Sequence, residues 1–178
     1  MKKSLSDCIW DWFKAFLVAF LIALSIRYFV LIPLKVVGDS MSPTLEPDTY
    51  ILYSKNKKVD RFDIVLFHDA NNQVFIKRVI GLPGETIVYQ DDQLFINDKK
   101  VSEPFLHNDL DEEQVFTTDF PLSEDLDNNK IPVDSYFVLG DNRPRSKDSR
   151  MLGFIPIEAI EGQARLVIYP LNRFSILD

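Results

Sequence analysis

The sequence predicts a mainly β fold, an antiparallel β-sheet domain preceded by one N-terminal transmembrane helix. Three observations carry this. Residues 15–32 (AFLVAFLIALSIRYFVLI) are apolar around the whole circumference of a helix. After Pro33 the chain runs in short segments rich in Val, Ile, Phe and Tyr, bounded by turn residues. No amphipathic helical pattern alternates with those segments, which argues against an α/β arrangement.

The eighteen residues of the first segment would span about 27 Å as a helix, close to the hydrocarbon thickness of a bilayer. Arg27 is its only charge and lies near the distal end, where a long side chain can snorkel to the headgroups. Trp10, Trp12 and Tyr28 are placed as interfacial aromatics. Lys2, Lys3 and Lys14, partly offset by Asp7 and Asp11, favour an N-terminus that stays inside. The run ends in Ile32-Pro33-Leu34-Lys35 without an A-x-A cleavage site, so an uncleaved anchor is expected rather than a removable signal. The expected division is a cytoplasmic 1–14, an anchor at 15–32 and an extracytoplasmic β-rich domain at 33–178.

In that domain, strands are predicted at Tyr50–Tyr53, Asp63–Phe67, Val74–Ile80, Thr86–Tyr89, Gln93–Ile96, Tyr136–Leu139 and Gln163–Tyr169. Asp91-Asp92 and Asn97-Asp98 fall where tight hairpin turns belong, and Leu82-Pro83-Gly84 is another turn. Residues 103–132 lack periodicity and are expected to form an inserted loop or small subdomain. Nine of the acidic residues and one basic residue lie between Glu103 and Lys130, a pattern read as a solvated surface loop. The rest of the chain is near neutral, so no basic stripe exists to bind nucleic acid. Cys8 is the only cysteine, which excludes an intrachain disulfide. No Cys/His ligand cluster or EF-hand spacing calls for a metal.

Three clusters could carry chemistry. Ser40 lies in Gly38-Asp39-Ser40-Met41-Ser42-Pro43-Thr44, which lacks the G-x-S-x-G elbow because position 42 is Ser. Lys77 lies in the apolar strand Val74-Phe75-Ile76-Lys77-Arg78-Val79-Ile80. Alternation puts Phe75, Lys77 and Val79 on one face and Val74, Ile76, Arg78 and Ile80 on the other, so one cation should be buried. Half-neutral lysine near pH 7 to 8 needs a shift of about 2 to 3 units, or roughly 3 to 4 kcal/mol, which a dry pocket can supply. Taken alone, Ser40 reads as a turn residue and Lys77 as an edge-strand lysine reaching water. The third cluster, residues 140–150 (GDNRPRSKDSR), can form paired carboxylate–guanidinium contacts that stiffen a loop. Of the two histidines, His68 and His107, nothing marks either as a catalytic base.

The anchor, GDSMSPTL, RFDIVLF, KRVIGLPGE and GDNRPRSKDSR, in this order, resemble the type I signal peptidases, the Ser–Lys leader peptidases of bacteria, over nearly the whole chain. The resemblance implies an antiparallel β catalytic domain of that type and no cofactor. It implies Ser40 as nucleophile, Lys77 as general base and Ser146 as the residue that hydrogen-bonds and orients Lys77. Asp148 would pair with Arg150, while Asp141, Asn142, Arg143 and Arg78 would support the site. The Ser40 backbone N–H would donate to the oxyanion. Gly38 stands where some members carry a hydroxyl donor. Val36, Val37, Gly38, Met41, Leu45, Phe75 and Ile76 match positions lining pockets for small side chains, typically Ala, at the first and third residues before the cut. The expected partners are precursor proteins carrying signal peptides, extended along the edges at Val36–Asp39 and Val74–Lys77, and membrane lipid. Phe62 replaces a common glycine and Glu85 a frequent aspartate. Rival expectations are an inactive membrane-tethered binding or scaffold protein, a self-cleaving repressor-like Ser–Lys protease, and a hydrolase using His68.

Overall fold

The computed structural model describes residues 5–29, 31–55, 58–69, 71–106, 117 and 130–177. Lys2, Lys3, His107, most of the acidic stretch and the side chains of Asp7, Cys8, Arg27 and Tyr28 lie outside the described set. Two compact units emerge, residues 1–32 and 33–178.

The first unit holds one helix, α1, Leu5–Phe29. Its described side chains from Ile9 to Ile22 are all exposed, among them Phe16, Val18 and Ile22. Trp10 stacks on Phe13 and Phe16 on Phe20, and Lys14 reaches over the Trp10 ring. Among the described residues no helix is long and apolar enough to cross a membrane. The predicted run to Ile32 overshoots, because Ile32 is already the first residue of a strand. Pro33 causes this: the ring clashes with a helical residue before it and pushes Ile32 into extended geometry.

The second unit is built on an eight-stranded sheet. Its members are β1 (Ile32–Lys35), β2 (Tyr50–Ser54), β3 (Ile64–His68), β4 (Val74–Gly81), β8 (Ser135–Leu139), β9 (Ile155–Pro156), β10 (Ile160–Tyr169) and β11 (Ser175–Ile176). The order is β1-β2-β10-β3-β4-β8-β9, with β11 also on β10. A separate three-stranded sheet contains β5 (Ile87–Gln90), β6 (Gln93–Ile96) and β7 (Lys99–Val101). The pairs from β2 through β10, β3, β4 and β8 to β9 are antiparallel. All seven predicted strands appear, Gln93–Ile96 with the ends expected and the other six with shifted ends, whereas β7, β9 and β11 are too short to show periodicity and β1 begins inside the run assigned to the helix. Both predicted hairpin turns form, with Asp91, Asp92, Asn97 and Asp98 all at positive φ, as a right-twisted hairpin with a two-residue loop requires.

The sheet centre is covered on both faces, so its strands lack polar alternation. Val65, Phe67, Val79, Tyr136, Val138 and Ile160 share one buried cluster. Ile80, Phe137 and Leu139 join Ile87, Tyr89, Leu94 and Ile96 of the small sheet in another. Burial on both faces of β4 has a direct consequence: Lys77 and Arg78, on opposite faces, are both buried, at 2% and 4% exposure. The expectation of one buried cation is therefore corrected to two.

Both departures from the family pattern have structural roles. Phe62 adopts φ 72, a left-handed conformation that explains why glycine suits this position, and its ring packs edge-on against Phe105. Glu85 accepts from Arg61 and from the Leu82 N–H, which ties the turn after β4.

Candidate active site

Ser40 sits in a turn tightened by Ser42 N–H donating to the Asp39 carbonyl and Leu45 N–H donating to that of Met41. Gly38 enters this turn at φ 86. The turn is tied to the 140–150 loop at two points. Asn142 N–H donates to the Ser40 carbonyl at 3.1 Å, and the Asn142 side-chain amide donates to the Asp39 carbonyl at 3.1 Å. These bonds leave the Ser40 N–H without a partner among the described residues.

Lys77 reaches Ser40 from the middle of β4. Its Nζ lies 2.6 Å from Ser40 Oγ and donates to the Ile76 carbonyl at 3.0 Å, with the Phe75 ring 5.7 Å away. Burial pulls its pKa from 10.5 down to about 8, against the opposing pull of the Asp148 and Asp141 carboxylates. A neutral amine, the only form of lysine that can accept a proton, is thus accessible near neutral pH.

Paired charges brace the loop behind this couple. Arg78 and Asp141 form a bidentate pair with contacts of 2.9 and 2.6 Å, and Arg78 also donates to the Phe62 carbonyl. Arg150 grips Asp148 through Nε and Nη2, each at 2.9 Å. Burial pushes the Asp148 carboxyl up, but hydrogen bonding from Arg150, Ser146 and the Gly140 N–H outweighs this and holds it below the usual range. The expected pairing of Asp148 with Arg150 is thereby present.

Two expectations are corrected. Ser146 is buried, but its Oγ makes no hydrogen bond to Lys77 and turns toward Asp148. It packs instead into the space left by the missing side chain of Gly140 and contributes to holding Asp148 ionised. Lys77 takes the Ile76 carbonyl as its second partner. Leu45 is completely buried and absent from the groove wall, because its place in the 38–45 turn points it into the interior.

The remaining pocket residues do converge. Val36, Val37, Gly38 and Met41 form one wall, and Phe75 and Ile76 the other, of a groove of about 410 Å³ that contains Ser40 and Lys77. Residues 74–77 of β4 pair with β3 on one side only, since β8 begins pairing at Arg78. Their other edge is open for an extended peptide. Val74 also lines the groove, at the end of the edge expected to take substrate, and Leu34, Lys35, Arg145 and Lys147 line it too and escaped the sequence reading. Arg145 and Lys147 lie two apart in a cluster read as scaffold, a spacing that could have marked them as facing one way. His68 faces Glu161 at 3.6 Å and does not line the groove.

Comparison with known proteins adds a lineage to this geometry. Residues 9–169 match the family described as "Signal peptidase, peptidase S26". Signal peptidase I V of Bacillus subtilis (strain 168) is 45% identical over 157 residues, which is 85% of this chain and 94% of that protein. Signal peptidase I of Bacillus licheniformis is 40% identical, over 97% of this chain and 95% of its own. Among solved structures, a signal peptidase I from Enterococcus faecalis V583 has a TM-score of 0.55 and 45% identity, covering 60% of this chain and 96% of that one.

Proposed function

The chain belongs to the signal peptidase family of serine endopeptidases, and on that footing we propose that it removes signal peptides with Ser40 as nucleophile and Lys77 as general base. The single observation carrying this reading is the 2.6 Å approach of a buried, easily neutralised Lys77 to Ser40 Oγ. In the reactive form the Ser40 hydroxyl donates to the neutral amine. As Oγ attacks the scissile carbonyl its proton passes to Lys77, and the Ser40 N–H meets the developing oxyanion. The Lys77 ammonium then returns the proton to the departing amine of the mature protein. Water, deprotonated by the same amine, hydrolyses the acyl-enzyme. Ile76 supports the chemistry by anchoring Nζ through its carbonyl.

The substrate is an extended precursor segment laid between residues 36–39 and the open edge of 74–77. Small side chains, typically Ala, would occupy the shallow wall formed by the mostly buried Val36 and Met41. Tethering to membrane lipid is part of the proposal, with the globular unit on the extracytoplasmic side and residues 1–14 inside. The exposed apolar side chains of α1 support it. So do Tyr169, Leu171, Phe174 and Ile176, which are 57 to 79% exposed at the end of β10 and beyond. A tether confines enzyme and precursor to one surface and raises their effective concentration.

The test is cleavage of a precursor carrying Ala at the first and third positions before the cut, by detergent-solubilised full-length protein. Ser40→Ala and Lys77→Met should each abolish processing. Cleavage that persists in either variant refutes the dyad.

A further inference from the structure

The loop that aligns the catalytic pair is held by two arginines, and one short stretch outside the loop grips both. Arg143 has no solvent exposure at its side chain. Its Nε donates to the Gly140 carbonyl at 3.0 Å, and its Nη1 to the Tyr89 hydroxyl and Thr117 Oγ1 at 2.8 and 3.0 Å. Its Nη2 pairs with the Glu103 carboxylate, which also accepts from the Tyr89 hydroxyl at 2.7 Å. Two residues on, the Phe105 ring lies 4.0 Å from the Arg78 guanidinium, the same group that holds Asp141. Glu103 is thus not part of a solvated acidic loop, as its sequence neighbourhood suggested, but a buried counter-ion with 7% side-chain exposure.

The loop in question carries the site. Gly140 N–H is bound by Asp148, Asn142 N–H by the Ser40 carbonyl, and the Arg143 carbonyl accepts from Arg150 at 2.6 Å. We infer that Glu103 and Phe105, at the mouth of the inserted segment, are positioning residues for the peptidase reaction. They clamp Arg143 and Arg78 and so fix the 140–143 loop against which Ser40 and Lys77 are aligned. A buried guanidinium deprived of its carboxylate moves to find another. The carboxylates available to Arg143 within the loop, Asp141 and Asp148, already serve Arg78 and Arg150. Any such movement drags Gly140 and Asn142, and a misplacement of about 1 Å near reacting atoms can lower a rate about a hundredfold. The inference rests on the Ser40–Lys77 reading.

The experiment compares kcat and KM of the full-length chain in detergent with Glu103→Gln, Phe105→Leu and Tyr89→Phe, at a temperature well below each variant's melting midpoint. The expected result is a kcat lowered about tenfold or more by the first two variants and several-fold by the third, with KM within about twofold of the parent. Kcat within twofold of the parent in folded variants, even with lowered melting temperatures, overturns the inference and leaves a merely structural clamp. If Glu103→Gln does not fold, Phe105→Leu and Tyr89→Phe decide, the latter because it removes one hydroxyl and keeps the ring beside Arg143. A Ser40→Ala arm separates the two readings. Activity surviving there defeats the dyad, whereas its loss beside unchanged clamp variants defeats only the clamp.

Discussion

Replacing Lys77 with methionine should inactivate the protein and yet make it more stable. The substitution leaves an unbranched apolar side chain, one atom shorter, and removes a buried ammonium. A fall in pKa from 10.5 to about 8 corresponds to about 3 kcal/mol of destabilisation. The folded state holds this proton less tightly than the unfolded chain does. The penalty is therefore full below about pH 8, shrinks as pH rises toward 10.5, and is gone above that. Against it stand the contacts with Ile76 and Ser40, worth about 1 kcal/mol each. The net expectation at pH 7 is a gain of about 1 to 2 kcal/mol, or roughly 3 to 6 °C in melting temperature for a domain of this size. Differential scanning calorimetry of parent and variant in the same detergent, at pH 7 and again near pH 10.5, measures it. A variant that melts below the parent at pH 7, or a gap that does not narrow as pH rises, would refute the claim that burial lowers the pKa of this lysine.

Two further outcomes follow from the same geometry. Because the base must be unprotonated, kcat/KM should fall about tenfold per pH unit below about pH 8, and a profile flat down to pH 6 contradicts a lysine base. Gly140→Ala should lower kcat about a hundredfold or more, because a Cβ there overlaps the Ser40 carbonyl oxygen and Ser146 Oγ. A steady-state assay returning parental kcat for this variant would show that the loop can yield without moving the nucleophile.

Motifs and turns were readable directly from the residues because they depend on local chemistry. The paired Asp and Asn turns, the hairpins they close and the cluster order of Ser40, Lys77 and residues 140–150 all belong to this kind. The shortest strands, β7, β9 and β11, were invisible, since two or three residues carry no period. The helix was also carried too far, to Ile32, although Pro33 held the information through its effect on that residue.

Charge placement divides the two levels most sharply. Residue order determined that an apolar strand carries Lys77 and Arg78 side by side, and alternation alone predicted that one of them would see water. Only the tertiary structure buries both, because the small sheet of β5, β6 and β7 packs with Ile80 on one face of β4, while on the other Val79 joins a cluster with Val59 and Ile155 and the Ser40 turn meets Lys77. The same packing decides which carboxylate each cation finds. Asp141 is 63 residues from Arg78 and Glu103 is 40 from Arg143, and neither pairing has a signature in local sequence. Composition made Glu103 look solvated, and Ser146 looked like a partner for Lys77. Whether a polar side chain meets water, an ion or a backbone carbonyl depends on what the fold brings within about 3 Å, and that is a property of the assembled chain.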